Sequence, residues 1–156
     1  MPRTAAAAHF EHVLEAHDGW ARWNRRFWLE HWEDFLRFFF EPCFTEPGSE
    51  TQIEHFLSMG LETTPEVLLA TFGDGVEDVT PELAKDFAES LACPSLVIHG
   101  DADAISPVAR GTELARLAGS EFRVLPGSGH EPQCRDPGVT NGLVLSFLNH
   151  VMEVRL

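Results

Sequence analysis

The chain has 156 residues, 44% of them hydrophobic, which is enough for one domain with a buried core. Its formal net charge of −14, from 25 acidic and 11 basic side chains, excludes the attraction by which proteins hold nucleic acid or anionic membrane surfaces. No apolar run approaches the roughly 20 residues that span a bilayer. The start of the chain becomes charged before a signal-peptide core could form. We therefore expect a cytoplasmic protein.

The first part of the chain is predicted to be a helix rich in aromatic residues. Residues 1–8 show no apolar periodicity and are expected to form a disordered lead. From residue 9 to about 40, aromatic side chains recur at intervals of three or four, which is typical of a helix with a wide apolar face. Pro42 disfavours helical geometry in the residue before it, so this helix should end near Glu41.

Three shorter helices are predicted between the first helix and residue 91. Ser49 or Thr51 can cap the first of these, which Gly60 ends. Pro65 begins the second, and Pro81 begins the third, because proline is well tolerated at the first helical position. Residues 9–91 are therefore expected to be a mostly helical region.

The pattern changes after Cys93, one of three cysteines that are expected to be free thiols because no two are closely spaced. Residues 95–98 form an uninterrupted apolar run typical of a strand in a parallel sheet, and 121–125 form a second strand. Helices are predicted over residues 107–117 and from 136 to about 151. The order strand, helix, strand, helix predicts an α/β fold with two parallel strands joined by a right-handed crossover.

Two segments, CPSLVIHGDADAISP and VLPGSGHEPQCRDP, resemble the C-terminal half of the α/β-hydrolase family. In that family, the strand before the catalytic acid ends in G-x-x-D followed by a proline, and the catalytic histidine lies in a G-x-G-H-like loop after the last strand. The matching residues are Gly100, Asp103 and Pro107, then Gly127, Gly129, His130 and Pro132. The resemblance implies that residues 92–156 are the second half of a hydrolase core, with flanking helices around the two strands.

The resemblance also implies roles for Asp103 and His130. A serine hydroxyl needs an imidazole to accept its proton, and a carboxylate to hold that imidazole in the correct tautomer. Asp103 would be that carboxylate and His130 the base, while Asp101 is a rival acid and Asp103 could instead be a turn residue. His99 is interpreted as a packing residue at the strand end.

A nucleophile is not found in the sequence. The G-x-S-x-G elbow and the HGGG-like oxyanion loop of the family do not occur. Ser58 is predicted within a helix, Ser128 belongs to the histidine loop, and Cys134 could in principle pair with His130. None has the strained turn after a strand that exposes a nucleophile, so the chain alone is expected to have negligible turnover.

Residues 9–91 resemble the helical cap that many α/β-hydrolases insert before the acid strand. In such caps aromatic side chains line an apolar pocket, which implies a substrate-binding role for Trp20, Trp23, Trp28 and Trp32. The alternative is that these tryptophans are ordinary core residues. We predict no cofactor and no metal site, because the eight histidines form no HExxH motif or Cys/His set.

The leading functional hypothesis is the C-terminal portion of a serine hydrolase that acts on a small or apolar carboxylic ester or related acyl substrate. Two isolated parallel strands leave open edges and uncovered faces, so we expect a truncated hydrolase, a partner carrying the nucleophile half, or self-association. The alternative is a non-catalytic module, derived from a hydrolase, that binds an apolar ligand or a partner chain.

Overall fold

The computed structural model describes residues 9–71 and 80–154, which are mostly helical with two parallel strands. The predicted disordered lead, residues 1–8, lies outside the described residues. By packing, the chain divides into two units. The described part of the first unit is residues 9–43 and 48–71, and that of the second is residues 44–47 and 80–154.

The helices and strands of the described residues follow in chain order. The α-helices are α1 (Arg25–Glu30), α2 (Trp32–Phe40), α3 (Glu50–Gly60), α4 (Pro65–Thr71), α5 (Pro81–Glu89), α6 (Val108–Ala118), α7 (Pro132–Arg135) and α8 (Pro137–Val154). The strands are β1 (Leu96–Gly100) and β2 (Glu121–Leu125), and short 3₁₀ turns cover Gly19–Arg22 and Glu41–Cys43.

The prediction of one helix from residue 9 to 40 is wrong. Asn24 breaks it, because its side-chain oxygen accepts hydrogen bonds from the backbone N–H groups of Arg26 and Phe27 and so caps α1. Its amide group also donates to the carbonyls of residues 9, 10 and 12, which ties the non-helical segment before it to the start of α1. His31, with φ −141°, then separates α1 from α2. The aromatic spacing continues through both breaks.

The core of the first unit is a cluster of aromatic rings around Trp28, which is fully buried. The ring centroid of Trp28 lies 4.6 Å from that of Phe35, 4.9 Å from Phe10 and 5.1 Å from Trp23. Such pairs contribute about 0.5–1.5 kcal/mol each beyond the apolar area they bury. The aromatic residues of this region therefore hold the first unit together.

Several predicted helix limits agree with the structure. The helix α2 ends at Phe40, next to the predicted limit, and α3 ends at Gly60 as predicted. A Cβ atom at Gly60 would lie 2.8 Å from a methyl carbon of Leu36, so a larger residue there would require the Leu36 side chain to shift. The helices α4 and α5 begin at Pro65 and Pro81, also as predicted.

The second unit is built around the strand pair. The strands β1 and β2 are parallel and pair from Leu96 with Glu121 to Gly100 with Leu125, which confirms the predicted parallel arrangement. The helix α6 connects them and packs on both. The helix α5 packs on α6 and belongs by packing to this unit, although its sequence position grouped it with the preceding helices. The short helix α7 was not predicted.

None of the helices in the described residues is both long and apolar enough to cross a membrane.

Replacing Leu36, a buried side chain in α2, with alanine should destabilise the first unit by about 2–5 kcal/mol, because it removes buried methyl groups and leaves a cavity. The matched control is Leu29→Ala in α1, where the side chain is exposed and the expected cost is below about 1 kcal/mol. Urea unfolding followed by tryptophan fluorescence measures both. Equal losses for the two variants would contradict the position given to the core.

Candidate functional site

The candidate site lies in the second unit, where the carboxyl ends of β1 and β2 meet. Gly100 and Leu125 are paired at these ends, so the loop that follows each strand leaves the sheet at the same edge. Open α/β sheets place their ligands at this edge. The first loop carries Asp101 and Asp103, and the second carries His130.

The two loops are joined by hydrogen bonds in both directions. The N–H of Asp101 donates to the carbonyl of Leu125 at 3.2 Å, and that of Ala102 donates to the carbonyl of Ser128 at 3.0 Å. In return, the N–H of Gly127 donates to the Asp101 carboxylate at 2.6 Å. Asp101, the rival acid in the sequence, therefore binds the backbone of the histidine loop.

Glycine is required where the loops touch. Gly100 is buried, and a Cβ atom there would overlap the backbone carbonyl of Ser128. Gly127 turns the second loop with φ +71°, in the left-handed region that favours glycine. These two glycines allow the histidine loop to lie directly against the end of β1.

Asp103 and His130 are in contact. The Oδ2 atom of Asp103 lies 2.8 Å from Nδ1 of His130, while Oδ1 accepts hydrogen bonds from the N–H groups of Ile105 and Ser106, each at 2.8 Å. One carboxylate oxygen therefore fixes the turn, and the other faces the imidazole. The Asp103 side chain is 3% exposed and that of His130 is 32% exposed, so the acid is enclosed and the imidazole is partly open.

Several opposing effects act on the pKa of Asp103. Burial alone would raise it, but the hydrogen bonds from His130, Ser106 and Ile105, together with the charge of a protonated His130, outweigh burial and lower the pKa below its ordinary value. The carboxylate is therefore held in its charged form at neutral pH. A charged carboxylate is the form that accepts a hydrogen bond from Nδ1–H and stabilises an imidazolium.

The other ring nitrogen of His130, Nε2, has no hydrogen-bond partner among residues 9–71 and 80–154. A cavity of about 200 Å³ lies beside the pair, and its lining includes Ile98, Ser106 and Gln133. If Nδ1 carries the proton shared with Asp103, Nε2 bears a lone pair. The arrangement can then accept a proton from a group placed in this cavity.

Glu46 supports the histidine loop from a distant part of the sequence. Its Oε1 atom accepts hydrogen bonds from the N–H of Gly129 at 2.8 Å and from the hydroxyl of Ser128 at 3.1 Å. The same short segment is also held by Arg135, whose guanidinium donates to the carbonyl of Pro47 at 3.1 Å. No local sequence signal points to Glu46, because it lies more than 80 residues before the loop it binds.

The three side chains considered as nucleophiles, Ser58, Ser128 and Cys134, differ in where they lie and in what surrounds them. Ser58 lies in α3 of the first unit, and the hydroxyl of Ser128 donates to Glu46. Cys134 is exposed on α7, and desolvation, followed by the charge of Glu131, raises the pKa of its thiol. A raised pKa leaves less of the reactive thiolate at neutral pH.

The four tryptophans all lie in the first unit. Trp20 and Trp23 line a largely apolar cavity of about 450 Å³ whose wall also includes His9 and Asp18. Trp28 is enclosed by other rings at the centre of the core, and Trp32 packs against that core with its ring 5.7 Å from Phe35. Trp20 and Trp23 thus border this cavity, although Trp23 is also a buried core residue, whereas Trp28 and Trp32 pack within or against the core.

No group of three or more His, Cys, Asp or Glu side chains within the described parts of the chain is arranged to hold a metal ion.

Comparison with known proteins gives one significant similarity. No family model matches the chain. The chain is 29% identical over 100 residues to a "Putative non-heme chloroperoxidase" from Synechocystis sp., a member of the α/β-hydrolase family. This match covers 61% of the chain but 36% of the relative's own length, so the chain spans about a third of that protein. The similarity and the parallel strand pair are compatible with part of an α/β-hydrolase fold.

The lowered pKa of Asp103 predicts a pH-dependent contribution to the stability of the second unit. Because the folded-state pKa lies below the ordinary value of 3.8, the carboxylate stabilises the fold above that pH, and this contribution is lost as the pH falls through the folded-state value. Asp103→Asn should therefore be less stable than the wild type at pH 7. The difference should shrink as the pH falls below about 4.

Thermal unfolding from pH 7 to pH 3 measures this difference, with Asp34→Asn, an exposed position in the first unit, as the control. A gap between wild type and Asp103→Asn that stays constant down to pH 3 would contradict the proposed stabilisation.

Proposed function

We propose that Asp103 and His130 are the acid and base of an α/β-hydrolase catalytic triad, and that a hydrolase half carrying the serine, which this sequence does not include, completes it. The observation that supports this most strongly is the 2.8 Å contact between Asp103 Oδ2 and His130 Nδ1, with Nε2 left open beside a cavity. The similarity to the Synechocystis protein agrees with it. The substrate class is a small or apolar carboxylic ester or a related acyl compound.

In this proposal His130 moves a single proton. Its Nε2 takes the proton from the serine hydroxyl as the oxygen attacks the acyl carbon, and the resulting imidazolium gives the same proton to the departing alkoxide. Water then repeats the sequence and releases the carboxylic acid. Asp103 keeps Nδ1 protonated throughout and stabilises the imidazolium, while the oxyanion donors come from the completing half.

The surface of the second unit supports completion by a further part of a hydrolase. Phe87, Leu145 and Met152 are 59–61% exposed, and Val124 of β2 is 42% exposed. These apolar side chains lie on two helices and a strand of the same unit, where the completing half could cover them. Only one strand neighbour is present for β1 and β2 within the described residues, so the sheet itself offers edges for further strands.

Completion can be tested by co-expressing the chain with the part of the Synechocystis relative that lies outside the region of similarity. The assembled complex should hydrolyse p-nitrophenyl acetate, and the chain alone should not. His130→Ala in the complex should lower kcat/KM by on the order of 10³-fold or more, because the serine then loses its base. Asp103→Asn should also lower it, by changing the tautomer of His130.

The matched control is His150→Ala, an exposed histidine in α8 of the same unit, which should leave the rate unchanged. Size-exclusion chromatography confirms that each variant still assembles. An assembled complex without hydrolysis, or hydrolysis that is equally fast with His130→Ala, would contradict the proposal.

A second candidate function is a non-catalytic binding module, and the cavity lined by Trp20 and Trp23 favours it. An open apolar space lined by indole rings suits a small apolar ligand. In that case an environment-sensitive apolar dye should bind saturably to the chain alone, and Trp20→Ala should weaken this binding. Absence of dye binding would exclude this function.

A further inference from the structure

A second histidine, His99, lies against the same carboxylate oxygen of Asp103. The Nε2 atom of His99, the penultimate residue of β1, is 2.8 Å from the carbonyl oxygen of Ser106 and 3.2 Å from Asp103 Oδ2. The His99 side chain is largely enclosed, with 14% exposed. The Oδ2 atom of Asp103 therefore lies between two imidazole rings, since His130 approaches it at 2.8 Å.

The neighbours of His99 determine which of its ring nitrogens carries a proton. A backbone carbonyl and a carboxylate can only accept hydrogen bonds, so Nε2 must be the donor. Its N–H donates to the carbonyl of Ser106 and presents a partial positive charge to Asp103 Oδ2. Ser106 is also the residue whose N–H binds Asp103 Oδ1. His99 thus supports the carboxylate both directly and through the turn that holds its other oxygen.

Helix α6 is shaped to accept the His99 ring. Gly111 is buried in the interior of α6, a position where glycine costs helix stability. A Cβ atom at Gly111 would lie 2.5 Å from Nδ1 of His99 and 3.0 Å from Cγ of its ring. The missing side chain leaves space for the His99 ring, whose Nε2 reaches the turn of Asp103.

We propose that His99 is a positioning residue for the proposed triad, and this inference rests on the proposed function of Asp103 and His130. It holds the Asp103 carboxylate so that Oδ2 faces Nδ1 of His130 and keeps that ring in the Nδ1–H tautomer. Gly111 contributes to this positioning because it makes room for the His99 ring.

The test is the tautomer of His130 in the ¹⁵N-labelled full chain, read from long-range ¹H–¹⁵N correlations of its ring under mildly alkaline conditions, where imidazole is neutral. The wild type should show protonated Nδ1 and bare Nε2. In His99→Phe the two nitrogen shifts of His130 should move toward each other, as the tautomers mix. His99→Gln should retain the wild-type pattern, because its amide can still donate to the Ser106 carbonyl.

Gly111→Ala should move the two nitrogen shifts of His130 in the same way as His99→Phe, although His99 itself is unchanged. If His99→Phe does not fold, Gly111→Ala replaces it in the test. The control is Gly142→Ala in α8, where a Cβ atom meets nothing within 4 Å and no change is expected. If folded His99→Phe or Gly111→Ala chains keep the wild-type nitrogen shifts of His130, the role of His99 is overturned but the proposed function of Asp103 and His130 is not. A wild-type His130 protonated on Nε2 would instead contradict the proposed function itself.

Discussion

The candidate site depends on two loops that bind each other at the ends of β1 and β2. Parallel pairing brings Gly100 beside Leu125, and the reciprocal hydrogen bonds between the loops then fix their separation. This constraint needs a glycine at position 100, because any side chain would strike the histidine loop. Because backbone groups and the side chains of Asp101 and Glu46 hold the two loops together, Asp103 and His130 lie within reach of their 2.8 Å contact.

Different groups hold the two members of this contact in place. One oxygen of Asp103 fixes its own turn, and the other is in contact with both His130 and His99. Glu46 holds the histidine loop through Gly129. The net result is a carboxylate whose pKa is lowered despite burial, beside an imidazole with one free nitrogen. A buried carboxylate of this kind is costly unless its hydrogen bonds are satisfied, and here each oxygen has a partner.

The sequence predicted the parts of this structure that depend on local rules. Proline at the start of α4 and α5, glycine at the end of α3 and the short apolar strands were read correctly, because each acts on its immediate neighbours. The long first helix was wrong, since aromatic spacing does not reveal that Asn24 caps a new helix. Glu46 binds a loop more than 80 residues away, and the contacts of His99 with Asp103 and Ser106 depend on the turn between them, although the glycine inside α6 was an available sign that something lies against that helix.

The proposed function requires Asp103 and His130 to form an acid–base pair whose Nε2 is free to accept a proton. Neutron diffraction from deuterated crystals of the chain, grown under mildly alkaline conditions, would locate the ring deuterium directly. We expect deuterium on Nδ1 of His130, directed at Asp103 Oδ2, and none on Nε2. Deuterium on Nε2 with a bare Nδ1, or a His130 ring turned away from Asp103, would contradict it.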